Sequence, residues 1–346
     1  MKILHTADWH IGKVLHKHPL EADHALFFSW LLELIEEESI DLLLVSGDIF
    51  DLSNPAAKDR KVYYNFLSQL IKLDVKAIIT GGNHDSIGVL NAPKEVLDAS
   101  EIYVVGGAKA DLADELIEIN DQNKNLALVV AAVPFLRDRD LRKNDGDHRH
   151  DSRIEAIRSG IRRHYHDLAK ISEDRYQDVP VIAMGHLYAR GVSTSESERD
   201  IHIGNAASVD ADIFSSTFDY AALGHIHRPQ VINQNQYIRY SGSPIPLSFS
   251  ERADQKVVLI LDVKEGHISP PRVVHVPQYR VLQKLTGSLK EVTDKLQKFE
   301  NTSPLPALIE IEVLEETFSP VILADVESLV SEYSDSESMI ILRSRT

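Results

Sequence analysis

Short apolar runs punctuate the first 230 residues, and between them lie longer stretches in which apolar residues recur at helical spacing. Runs of the first kind mark buried or half-buried strands, and stretches of the second kind mark amphipathic helices. The pattern predicts strands over 2–7, 41–46, 76–80, 126–133, 180–184 and 220–223. It predicts helices over "PLEADHALFFSWLLELIEEES" and "KDRKVYYNFLSQLIKL", the first opening with Pro19 and Glu21 as a helix N-terminus prefers. A further helix, "DSRIEAIRSGIRRHYHDLAK", places Ile154, Ile157, Ile161, Tyr165 and Leu168 on one face and Arg153, Arg158, Arg162 and Arg163 on the other. Strand and helix alternating in this way is the pattern of an α/β fold.

Beyond residue 230, "QYIRYSG", "QKVVLILDV" and "RVVHVP" alternate as antiparallel strands that would complete a second sheet. Composition shifts near Pro277. From there "YRVLQKLTG", "SLKEVTDKLQKFE", "ALIEIEVLEE", "ILADVESLVSEYS" and "SMIILRSRT" read strand, helix, strand, helix, strand. At 346 residues the chain exceeds the size of a single core, so a main domain over 1–276 and a small α/β capping domain over 277–346 are expected. The Ser/Glu-rich "GVSTSESERD" is expected to be a surface loop.

Composition narrows the chemistry. The hydrophobic fraction of 43% and charged fraction of 26% are those of a globular protein. Cysteine is absent, which excludes a disulfide scaffold, a thiolate metal site and a cysteine nucleophile together. Any metal must sit on nitrogen and oxygen. No apolar run approaches a membrane span and the N-terminus has no leader-like pattern, so a cytoplasmic protein is expected. The net charge of −16 argues against coating nucleic acid by sheer basicity. Residues 135–170 nevertheless hold ten Lys and Arg against seven Asp and Glu. Arg158, Arg162 and Arg163 are thus candidates for phosphate contact, against the alternative of an ordinary solvated face.

The polar residues after the strands carry the chemistry. Asp8 and His10 follow the first; "DLLLVSGDIFD" brings Asp48 and Asp51, and "KAIITGGNHDS" brings Asn83, His84 and Asp85. "VPVIAMGHLYAR" ends at His186, and "FDYAALGHIHRP" at His225 and His227. In an open α/β sheet the carboxyl ends of the strands share the edge where ligands bind, so these groups are expected to converge. Carboxylate, amide and imidazole without sulfur suit Mn²⁺, Fe²⁺ or Zn²⁺ better than Ca²⁺. Asp8, His10, Asp48, Asn83, His186, His225 and His227 are too many for one ion. Two ions about 3.5–4 Å apart, sharing a carboxylate, would use them all and polarise both ends of a phosphoryl displacement. Glycines before Asp48, Asn83, His186 and His225 allow sharp turns and close approach. His16, His18, His148, His150, His164 and His166 lack this context and are expected at the surface.

In order along the chain, "DWH", "GDIFD", "GNHDS", "GH" and "GHIH" resemble the signature of the calcineurin-like metallophosphoesterases, whose fold is a double β-sandwich flanked by helices. Within that superfamily "MKILHTADWHIGK", "VSGDIFDLSNP", "GGNHDS", "LGHIHRPQ" and "YSGSPIPLSFSE" are similar to the SbcD-type nucleases, over most of residues 1–250. The resemblance implies that Asp8, His10, Asp48 and His227 hold one ion, and that Asp48 bridges to a second held by Asn83, His186 and His225. It implies that His84 faces the scissile phosphate, with Asp51 orienting that histidine. The implied reaction is in-line attack by a metal-bridging hydroxide on DNA, with Mn²⁺ the foremost cofactor and Mg²⁺, Fe²⁺ or Zn²⁺ as alternatives. Implied partners are a second copy and an SbcC-type ATPase with coiled coils, acting at the nucleoid on breaks and hairpins. Relatives dock the ATPase through a helical tail after the cap. They dimerise near "KDRKVYYNFLSQLIKL" and "APKEVLDAS", where Val62, Tyr63, Phe66 and Leu70 form either that surface or an ordinary core face. Two other classes compete: a metallophosphatase or small-molecule phosphodiesterase with the same ligands, and a non-catalytic scaffold. The scaffold should have lost a ligand, and none is missing.

Overall fold

The computed structural model describes residues 1–141, 150–202, 207–314 and 320–345. The strands are β1 (Lys2–Thr6), β2 (Val14–Leu15), β3 (His18–Pro19), β4 (Leu42–Ser46), β5 (Lys76–Thr80), β6 (Ile102–Val105), β7 (Leu116–Asn120), β8 (Leu126–Ala131) and β9 (Val181–His186). They continue with β10 (Tyr220–Gly224), β11 (Gln230–Ile232), β12 (Asn235–Tyr240), β13 (Val257–Lys264), β14 (His267–Ile268), β15 (Arg272–His275), β16 (Leu282–Gly287), β17 (Ala307–Val313) and β18 (Met339–Arg345). Two long helices, α1 (Glu21–Glu38) and α2 (Ala57–Lys72), follow β3 and β4.

The first sheet runs β14–β13–β1–β4–β5–β6, with β15 also paired to β13; the second runs β11–β12–β10–β9–β8–β7. Strands β1, β4, β5 and β6 are mutually parallel, as are β8, β9, β10 and β12. Side chains alternate across each strand and so build three layers of core. Ile3, Leu42 and Leu44 from one sheet meet Leu128, Val130, Ile182 and Met184 from the other. Their neighbours Leu4, Leu43 and Val45 face α1 and α2, while Val129, Val181 and Ala183 face the helix His150–Arg175. The result is a double β-sandwich with helices outside both sheets.

The strands after residue 230 do not all join one sheet, as the periodicity suggested. Strand β12 lies parallel to β10 in the second sheet, because the short β11 has already reversed the chain. Strands β13 and β15 instead extend the first sheet antiparallel. The last segment forms a third, all-parallel sheet, β16–β17–β18, with helices Leu289–Gln297 and Pro320–Glu332. It has its own core around Val292, Ile309 and Ile311, but Leu282 and Leu308 pack into the first core. Arg280 also grips Asp23 of α1 with two nitrogens, at 2.8 and 2.9 Å, in the fork geometry that suits a carboxylate.

Tyr63, Phe66 and Leu70 of α2 are buried in the first core, and Val62 is half-buried against it. Core packing therefore accounts for three of the four residues considered for a dimer surface. No helix among the described residues is long and apolar enough to cross a membrane.

Candidate metal centre

The chain turns sharply at three of the strand ends that bear candidate ligands. Asp8, His10, Asp48 and His225 all sit at positive φ, a conformation that costs non-glycine residues energy and clusters at functional sites. Two glycines let the sheets close on each other here. A Cβ on Gly224 would stand 1.8 Å from the Ser46 carbonyl oxygen, and one on Gly47, itself at φ +84°, would stand 2.2 Å from His186 Nδ1. Ser46 Oγ donates across the gap to the Ala222 carbonyl at 2.9 Å. The carboxyl ends of both sheets thereby share one edge.

Three groups of donor atoms meet there, each with its members within 4.8 Å of one another: Asp8, His10 and His227; His10, Asp48 and His84; Asp48, His186 and His225. All of these side chains are buried. In the first half of the site His10 Nε2 lies 3.1 Å from His227 Nε2 and 3.5 Å from Asp48 Oδ2. In the second half His186 Nε2 lies 3.3 Å from Asp48 Oδ2, and Asn83 Oδ1 is 2.9 Å from His186 Nε2 and 3.1 Å from His225 Nδ1. Asp48 belongs to both halves. The backbone N–H of His225 donates to both oxygens of Asp8, at 2.9 and 3.1 Å, and that of His84 donates to Asp48 Oδ1 at 2.9 Å.

The partners of the outer ring nitrogens fix where the protons sit. His10 Nδ1 donates to Asp51 Oδ1 at 3.1 Å and His186 Nδ1 to the Ser46 carbonyl at 2.9 Å. In the neutral rings each Nε2 then presents a lone pair inward. At 3.1 Å, the His10 and His227 nitrogens need a cation between them, a proton on one or a metal ion joining both. His225 Nε2 is buried with no hydrogen-bond partner among the described residues. This donor set fits a dinuclear metal centre.

Charges at the site respond to burial and to one another. Burial raises Asp8 to about 7 and lowers His10 to about 3. Burial also pushes against the charged forms of Asp48 and His186, yet each stabilises the other. Asp48 is held well below the ordinary carboxylate range, with His84 and His10 helping, and His186 rises to about 9. His84 is lowered by burial, against the pull of Asp48.

Residues 1–229 match the calcineurin-like phosphoesterase family. The chain belongs to that family. It is 33% identical over 353 residues to SbcD of the nuclease SbcCD from Escherichia coli (strain K12), a match that spans all of this chain and 86% of that protein. The SbcD of Rhodobacter capsulatus is 35% identical over 86% of this chain and 76% of its own length. That of Bacillus subtilis is 34% identical over 77% of this chain and 67% of its own.

Within this phosphoesterase Asp51 meets His84 through its main chain rather than its carboxylate. Its carboxylate does not touch His84; it accepts from His10 Nδ1 and, at 3.2 Å, from Lys13 Nζ. The Asp51 main-chain carbonyl accepts from His84 Nδ1 at 2.7 Å, so Asp51 orients both histidines by different atoms. Asp85 is structural: its carboxylate accepts from the N–H groups of Ile49, Phe50 and Gly82 and ties two of the ligand loops together.

Arg158, Arg162 and Arg163 are engaged by other groups: the Ser208 carbonyl at 3.1 Å, Asp212 at 2.9 Å and the Leu141 carbonyl at 3.2 Å. His16 and His166 are exposed and His18 is half-buried. His164 is not a free surface histidine, because its Nε2 contacts the buried Glu115 at 2.7 Å. His148 and the side chain of His150 lie outside the described residues.

Sequence reasoning missed four residues against the ligands: Ser197, Glu198, Glu251 and Lys256. The first two come from "GVSTSESERD", a loop at the surface as expected, whose Ser197 and Glu198 nevertheless reach the centre. His227 Nδ1 is 2.5 Å from Ser197 Oγ, and the His227 N–H donates to Glu198 Oε1 at 2.9 Å. The signal for Glu251 was its place at the end of "YSGSPIPLSFSE".

Proposed function

We propose that the chain is a two-metal DNA nuclease: a double-strand exonuclease and a single-strand or hairpin endonuclease that works with an SbcC-type ATPase in break processing and recombination. The observation that supports this best is the sharing of Asp48 by two groups of buried donors, in a chain whose relatives are the SbcD proteins of nuclease SbcCD. Two divalent ions, Mn²⁺ foremost, would be held by Asp8, His10, Asp48 and His227 and by Asp48, Asn83, His186 and His225. They would supply Lewis-acid charge and a hydroxide nucleophile near neutral pH.

The chain's own groups supply orientation and a proton. His84 Nδ1–H is fixed on the Asp51 carbonyl, while its Nε2, 3.9 Å from Asp48 Oδ2, faces the donor cluster. A proton on that nitrogen is placed to donate to a phosphoryl or departing oxygen. Asp51 and Ser46 hold His10 and His186 with their inner nitrogens toward Asp48.

In this proposal residues 1–276 form the nuclease domain and 277–346 a cap that grips DNA. A second copy docks near α2, where Tyr64 and Ile71 are exposed, and near the exposed Val96. Arg158, Arg162 and Arg163 are candidate phosphate contacts once released from their present partners. The protein acts in the cytoplasm, at the nucleoid.

The test compares degradation of linear double-stranded DNA with hydrolysis of a small chromogenic phosphodiester, both with Mn²⁺. DNA loss that requires Mn²⁺ and disappears in Asp48→Asn and His84→Ser supports the nuclease. Turnover of the small ester with DNA left intact, even after the ATPase partner is added, would establish a small-molecule phosphodiesterase instead.

A further inference from the structure

His227 is the one ligand whose surroundings come mainly from segments that no metal-binding motif contains. Its carbonyl accepts from Lys256 Nζ at 3.0 Å and from the Ser243 N–H at 3.2 Å, and its N–H donates to Glu198. Its Nδ1 meets Ser197 Oγ at 2.5 Å. Every other polar atom of the residue is held by these groups, and Nε2 meets His10 Nε2 at 3.1 Å.

We propose that Glu251 is a positioning residue for His227, acting through the Ser197 hydroxyl, and that residues 193–198 form a fixed strap over this half of the site. This rests on the two-metal reading. Ser197 has one hydroxyl hydrogen and two acceptors besides His227 in reach, Ser195 Oγ at 2.7 Å and Glu251 Oε1; the carboxylate, charged and without a hydrogen of its own, takes it. The Ser197 oxygen must then accept from His227 Nδ1–H. That places the ring proton on Nδ1 and turns the Nε2 lone pair toward Asp8 and His10, as a ligand at that position needs.

Glu251 is suited to the task because it cannot move. Its side chain is fully buried, with Oε2 paired to Lys256 Nζ at 2.5 Å and accepting from the Leu247 N–H at 3.3 Å. Lys256 thus grips both the carboxylate and the His227 backbone. The strap is fastened at separate points: Gln230 exchanges two hydrogen bonds of 2.9 Å with the Ser193 main chain, and the Glu196 N–H donates to Ser250 Oγ at 2.9 Å. Ser195 Oγ lies 2.7 Å from Glu198 Oε2 and 3.1 Å from Glu251 Oε1, joining the two acids that flank His227.

The test is calorimetric titration of the metal-free, full chain with Mn²⁺, comparing wild type with Ser197→Ala, Ser197→Thr and Glu251→Gln. Ser197→Ala should weaken one of two binding events about 10- to 100-fold, the range for removing a group that orients a ligand, and leave the other unchanged. Ser197→Thr, which keeps the hydroxyl, should restore it. Glu251→Gln should weaken the same event, but it also breaks the Lys256 pair, so Ser197→Ala decides the matter if that variant fails to fold. Two wild-type affinities in Ser197→Ala, or equal weakening of both events, would overturn the proposal. A wild-type chain that binds fewer than two ions would overturn the two-metal reading itself, and the proposal with it.

Discussion

The two halves of the centre share Asp48 but are held in place differently. Around the first, the outer nitrogens of His10 and His227 end on side chains, Asp51 and the Ser197–Glu251 pair, supplied by loops. Around the second, His186 ends on a main-chain carbonyl at the junction of the sheets, and Gly47 and Gly224 leave the space for it. One half is tuned by side chains, of which Asp51 and Ser197 can be replaced without touching the junction of the sheets. The other is part of the sandwich, so its geometry and the stability of the fold stand or fall together.

The largest expected effect removes the distinction altogether. Asp48→Asn takes a shared anionic ligand from both halves, and we expect Mn²⁺-dependent phosphodiester hydrolysis to fall below detection and the bound-metal count to drop below two. Gly224→Ala should strike the second half and the fold at once, since its Cβ meets Ser46 O at 1.8 Å and His186 Nδ1 at 3.0 Å. We expect a loss of about 3 kcal/mol, the upper end for forced overpacking, read by urea unfolding of the metal-free protein. Asp51→Ala should do the converse. It should weaken one ion about 10- to 100-fold with the second affinity unchanged, measured by metal titration.

The smallest effect is a pair of opposite pH dependences in the metal-free chain. His186 is raised to about 9, so below the unfolded value of about 6.5 its contribution to stability is complete, and it is lost as pH rises through 9. His10 is lowered to about 3, so its contribution is complete above about 6.5 and is lost as pH falls toward 3. Denaturant midpoints against pH should therefore flatten on the alkaline side in His186→Asn and on the acid side in His10→Asn. Flattening on the same side in both would contradict the opposite shifts of His186 and His10.

Much of the second half was legible in the sequence because main chain builds it. Buried runs such as "DLLLVSGD" and "VIAMGH" show both the strand and the residue at its end, and the glycines mark where sheets approach. The first half was legible only as far as its ligands. Ser197 and Glu198 sit in a Ser/Glu-rich stretch whose composition is that of a solvated loop, and only tertiary packing turns those groups inward. Asp51 was placed at the centre, but the choice between its carboxylate and its carbonyl depends on a turn that residue type does not encode. The direction of "QYIRYSG" within the second sheet was hidden for a similar reason, since a short preceding strand reverses the chain before it.

The central claim is that two ions flank Asp48. The most direct measurement is a crystal of the chain grown with Mn²⁺ and a diffraction map at the manganese absorption edge. The account predicts two anomalous peaks about 3.5–4 Å apart, one beside Asp8, His10 and His227 and one beside Asn83, His186 and His225, with an Asp48 oxygen between them. A single peak, or two peaks that do not share Asp48, would contradict it.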